Sequence, residues 1–168
     1  MWFINWGQIV IESLSIREQI CEYSIIESAL VKPMRYLNKI ISPMINLTYP
    51  LIKMKWYSKL QARQLLLPIE QYELYYKDSC KISKKSLQNI LSSNSSFEIN
   101  ETINRNKSKA LILVGEKEIK SMKESYNIIL DNIPESIGEV LSNYGHGELS
   151  QLHPEQYANM LLKFIGKN

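Results

Sequence analysis

The spacing of apolar residues changes character three times along the chain. Residues 8 to 20 place Ile9, Val10, Leu14, Ile16 and Ile20 at mostly helical intervals after Gly7-Gln8. The segment from Tyr23 to Val31 is rich in β-branched residues and stops before Pro33, so it reads as a short buried strand. Over so short a run a buried helix leaves the same pattern. Helix followed by strand suits an α/β unit.

From Pro33 to about Asn106 the intervals are helical throughout. The spacing predicts helices over residues 34–45, 51–66, 69–77 and 83–91, with Pro33, Pro43, Pro50 and Pro68 near their starts or breaks. Ser83 and Ser86 offer a cap ahead of Leu87. Met34, Tyr36, Met44, Met54, Trp56, Tyr72, Tyr75 and Tyr76 read as the packed core of a helical subdomain, which can also serve as a lid over an apolar site. Asn94 to Lys109 is polar and reads as a connector.

The α/β pattern then resumes. Ala110 to Val114 is a predicted strand ending on Gly115, and Ile119 to Leu130 a helix with Met122, Tyr126, Ile129 and Leu130 towards one side. Ile133-Pro134 makes a turn, and Gly138 to Ser142 a further strand. His153-Pro154-Glu155 opens a last helix, with proline at the first position, where its missing N–H costs nothing. No internal repeat is visible.

Composition narrows the function classes. At 168 residues, with 45% apolar and 22% charged residues, the chain suits a globular domain with a real core. A net charge of +3, without a basic stripe, argues against nucleic acid as a partner. Cys21 and Cys80 fit neither a disulfide framework nor a zinc spacing and read as buried thiols of a reducing cytoplasm. No metal and no cofactor are expected. The first residues lack the features of a signal peptide. The most apolar stretch, residues 40–59, is broken by Pro43, Pro50, Lys53 and Lys55, short of the roughly 20 residues a membrane span needs. The expectation is a cytoplasmic chain with no membrane partner.

Two side chains could carry chemistry. Glu118 stands in the loop after the first of the later strands, and His146 stands between Gly145 and Gly147 after the second. Each has a bland alternative: a turn histidine that the glycines permit, and an acid that complements a helix dipole. Glu116 and Glu27 are reserve acids, and His153 reads as a helix-start residue.

The order strand, Gly115-Glu-Lys-Glu118, amphipathic helix, strand, Gly145-His146-Gly147, then a helix opening Pro154-Glu155 resembles the C-terminal part of the α/β-hydrolase superfamily. The resemblance covers residues 109–166 well. It extends loosely to residues 7–32, which look like the nucleophile helix and the strand after it. It implies an α/β fold: a partial α/β-hydrolase-like parallel sheet from residues 1–32 and 107–168, with an all-helical cap and connector inserted at 33–106. It also implies His146 as the base and Glu118 as the acid of a hydrolytic triad, 28 positions apart (146 − 118), in an enzyme that cleaves esters or related acyl bonds. The family more often has Asp at the Glu118 position.

The third member of a triad is not in view. An elbow Gly-x-Ser-x-Gly needs two glycines four positions apart, and the six glycines, 7, 115, 138, 145, 147 and 166, contain no such pair. By the resemblance the nucleophile falls at Ile4, three residues before Gly7, and Asn5 and Trp6 are no better. The resulting expectation is a truncated hydrolase, inactive alone, whose sheet is open at a strand central in the family and prone to self-association there. The alternatives are a non-catalytic interaction module, or half of a split hydrolase completed by another chain.

Overall fold

The apolar run ahead of Gly115 forms strand β2 (Lys109–Gly115), in which every residue after Lys109 is buried. A parallel strand covered on both faces has no polar side to alternate with, hence the unbroken Ala-Leu-Ile-Leu-Val. In the computed structural model, which describes residues 6–166, β2 is flanked in parallel by β1 (Tyr23–Glu27) and β3 (Ser136–Leu141). The register sets Ile26 beside Ile112 and Ile112 beside Gly138.

Helices cover both faces of this sheet. On one, Ala110, Ile112 and Ile26 pack with Ile11 and Leu14 of α1 (Trp6–Ile16) and with Ile129 of α6 (Lys120–Asn132). On the other, Leu111, Leu113 and Leu141 pack with Leu149 of α7 (Glu148–Leu152) and Phe164 of α8 (Pro154–Ile165). The chain divides into two compact units: residues 6–33 with 97–166 hold this sheet, and residues 34–96 are helical.

Polar residues read as a connector are built into both units. Ser92 to Ser96 continue α5, and Glu101–Arg105 form a 3-10 turn whose Ile103 is fully buried. Asn106 is buried because its amide donates to Leu14 O at 3.1 Å while its carbonyl accepts from Ser108 N at 2.8 Å. One side chain thus satisfies a free carbonyl at the end of α1 and fixes the start of β2. Ser125, mid-helix in α6, accepts from the N–H groups of Val31 and Lys32 at 3.0 and 2.9 Å. Composition alone marks such residues as solvent-facing.

The helical unit comprises α2 (Arg35–Ile52), α3 (Lys55–Gln64), α4 (Tyr72–Lys81) and α5 (Lys84–Ser96). Two of its predicted breaks are not breaks, since α2 runs through Pro43 and Pro50. A proline inside a helix costs about 3 kcal/mol. Burying Ile41, Ile45 and Ile52 against Leu87 of α5 offsets this at about 1.5–3 kcal/mol each. Tertiary packing outweighs local propensity here. The aromatic and methionine core holds only in part: Tyr72 and Tyr75 are buried, but Tyr36, Met44, Met54 and Trp56 are exposed. The Ser83 cap is present, with Ser86 N donating to Ser83 Oγ at 3.0 Å. No described helix is long and apolar enough to cross a membrane.

Because Ile112 is 1% exposed at the centre of the sheet, Ile112→Ala is expected to lower unfolding free energy in urea by about 2–5 kcal/mol. The same change at Ile69, 79% exposed, is expected to stay within about 0.5 kcal/mol.

Candidate active site

Parallel strands deliver their C-terminal ends to one rim of the sheet, so the loops after β1, β2 and β3 meet there. Gly115 ends β2, and a Cβ at that position would come within 2.7 Å of Gly145 O and collide with Tyr144 O. Only glycine admits this approach of the acid loop to the histidine loop. Backbone bonds then lace the two together: Glu116 N donates to Leu141 O at 3.0 Å and Lys117 N to Tyr144 O at 2.9 Å. Glu116 also accepts from Asn143 N at 2.8 Å, where the backbone takes φ 67°. Gly147, at φ 64°, ends the histidine loop and leads into α7.

Glu118 folds back under this lacing. Its side chain is 1% exposed, and its Oε2 lies 2.9 Å from His146 Nδ1. Its Oε1 accepts from Ser28 Oγ at 2.5 Å and from Gly115 N at 3.1 Å. Three donors from the ends of three strands thus converge on one carboxylate. The imidazole of His146 is two-thirds exposed, at 67%.

Burial works to raise the Glu118 pKa, but hydrogen bonds from His146, Ser28 and Gly115 together outweigh it and hold the carboxyl below its ordinary value. His146 is pushed up, first by its hydrogen bond to Glu118 against some desolvation, then by the charges of Glu118 and Glu27. Each partner thus favours the charged form of the other.

The remaining candidates sit elsewhere. Glu116 is exposed and engaged with the histidine-loop backbone rather than with the imidazole. Glu27 ends β1 with Oε1 buried and without a hydrogen-bond partner among the described residues. Desolvation raises its pKa, against the opposing pull of Ser150 and of His146. The His153 ring packs edge-on against Tyr144 at 5.5 Å. Cys21 and Cys80 are free thiols. The nucleophile positions weighed in the sequence, Ile4 and Asn5, lie outside the described residues. Sequence reading missed Ser28, which follows β1 at φ 55°. A lone serine after a strand carries no pattern that would single it out.

Three parallel strands with helices on both faces, and acid and histidine loops at their carboxyl ends, have the fold of part of an α/β-hydrolase. No protein-family model matches the sequence, and no curated protein matches it. Solved structures do match its shape. MenH from S. aureus superposes with a TM-score of 0.66 at 15% identity, covering 96% of this chain and 65% of its own. An esterase from Exiguobacterium antarcticum gives 0.69 at 16%, covering 96% and 63%. A bromoperoxidase from Bacillus anthracis gives 0.70 at 16%, covering 96% and 64%. At such identities the likeness is one of fold, and the chain spans less than two thirds of each of these proteins.

The paired shifts set a pH window. Glu118, depressed, contributes stability that is full above the ordinary carboxyl value of 4.5 and is lost as pH falls through its folded value. His146, raised, contributes stability that is full below the ordinary imidazole value of 6.5 and is lost as pH rises through its folded value. In thermal unfolding across a pH series, the margin of the native chain over His146→Gln is expected to be widest between pH 4.5 and 6.5 and to shrink on both sides. A margin that does not vary with pH would contradict the ion pair.

Proposed function

We propose that this chain carries the acid–base part of an acyl hydrolase, with Glu118 as the orienting acid and His146 as the general base. The observation that carries the reading is the Glu118–His146 hydrogen bond of 2.9 Å across the ends of neighbouring parallel strands. A carboxylate on Nδ1–H selects one tautomer, leaves Nε2 to take a proton from an attacking hydroxyl, and stabilises the imidazolium that results. Small esters or related acyl compounds are the substrate class that the fold's esterase neighbour supports. The 168 residues contain no Gly-x-Ser-x-Gly, so within this sequence acid and base lack a serine elbow to serve. Ester hydrolysis by the triad then depends on a nucleophile from outside these residues, as in a split enzyme completed by another polypeptide.

The purified chain alone is expected to hydrolyse a small chromogenic ester at the background rate, with no change on His146→Ala. Saturable turnover abolished by His146→Ala would show that a nucleophile is already present.

A second reading, a non-catalytic interaction module, draws on another surface. Among the described residues β1 pairs on one side only. The adjacent helix α1 has a single charged residue and leaves Ile9 52% and Ile16 71% exposed. A helix apolar on most sides is ordinarily covered on most sides. Ile25 packs against the core and is a poor place to test this surface, whereas Ile9 and Ile16 are open. If the surface drives association, sedimentation velocity shows a concentration-dependent oligomer that Ile9→Glu with Ile16→Glu converts to monomer. A native chain that stays monomeric at all concentrations removes self-association through this face.

A further inference from the structure

We infer that Ser28 is a positioning residue, whose hydroxyl clamps Oε1 of Glu118 so that Oε2 meets Nδ1 of His146. This rests on reading Glu118 and His146 as acid and base, and adds a third residue to that pair. Glutamate has one more rotatable bond than aspartate, so its carboxylate needs more fixing to hold one orientation. Gly115 N at 3.1 Å supplies one contact to Oε1, and a single contact leaves the group free to turn about it. The Ser28 hydroxyl at 2.5 Å supplies the second, from a different strand end.

The backbone around Ser28 is itself pinned, which a clamp requires. Ser28 N donates to Leu113 O at 2.9 Å, continuing the β1–β2 ladder one residue past the strand. A Cβ on Gly7 would come within 2.5 Å of the Ala29 Cβ, so α1 presses closely on the residue after Ser28. Two residues further, Val31 N and Lys32 N are bound by the buried Ser125 hydroxyl. Between these anchors Ser28 takes φ 55°, a left-handed conformation that side chains other than Gly, Asn and Asp rarely adopt. Local preference does not select serine there. The hydroxyl's bond to Glu118 supplies a reason for it.

Ser28 does not read as the missing nucleophile. Its proton is already donated to Glu118, a carboxylate held below its ordinary value and therefore a weak base. The base proposed for catalysis is His146, which meets Glu118 through the other carboxylate oxygen.

The test is NMR titration of the full chain, following the Glu118 carboxyl by carbon-13 and the His146 ring. Ser28→Ala and Ser28→Gly are each expected to move the Glu118 midpoint up, because a donor to the carboxylate is lost, and the His146 midpoint down, because its partner is no longer held. Ser28→Gly suits the left-handed backbone, so it reports the hydroxyl without added strain. Ser28→Asn, which tolerates that backbone and carries an amide donor, is expected to keep both midpoints near those of the native chain. Unmoved midpoints in Ser28→Gly would overturn the proposal, including the case in which Ser28→Ala alone shifts them, since strain then accounts for the effect. Glu118→Gln separates the underlying reading. If it lowers the His146 midpoint while the Ser28 variants do not, the pair stands and the clamp fails. If it leaves His146 unmoved, both fall.

Discussion

A carboxylate taken out of water stays ionised only where donors replace its hydration, and the C-terminal rim of this sheet is built around that requirement. Glu118 is almost wholly buried, and Ser28, Gly115 and His146 supply the donors. Each comes from the end of a different strand, so satisfying one charge also fixes where three loops meet. Truncating any donor leaves a buried charge short of a partner, which costs more than the lost bond is worth when formed. The site and the local stability of the rim are in this sense one interaction.

The convergence depends on parallel strands and on close approach. Antiparallel neighbours would send alternate loops to opposite ends of the sheet, whereas β1, β2 and β3 all point the same way. Gly115 lets the acid loop press against the carbonyls of Tyr144 and Gly145, and the buried β2 beneath holds the register. A flexible pair on two exposed loops would lose much of its interaction to ordering entropy. Here the cost is met by the core packing of Ile112 and Leu113.

In the role proposed for His146, the rim holds a base with its tautomer selected. A neutral imidazole held through Nδ1 is poised to accept a proton at its other nitrogen, and a raised pKa means that the charged form is tolerated once it has done so. Glu27 adds a second acidic group within electrostatic reach of the ring, but it acts through charge alone, without the hydrogen bond that Glu118 makes, so it raises the His146 pKa less.

Taken alone, the sequence determined the α/β class, the central strand and the flanking helices, because each is written in local periodicity, whereas the roles of the acid and the histidine came only with the resemblance to the α/β-hydrolases. It also determined that no two glycines stand four apart, which excludes a Gly-x-Ser-x-Gly elbow within these residues. Three-dimensional packing decided the rest. Helix α2 crosses Pro43 and Pro50 because buried isoleucines outweigh the two missing bonds. Asn106 and Ser125 become structural through partners that lie far away in sequence, Leu14 and Val31. The choice among Glu27, Glu116 and Glu118 as the group that touches His146, and the part played by Ser28, turned on side-chain geometry at the meeting of three loops. One-dimensional spacing places residues on faces and at strand ends, but it cannot say which atoms meet there.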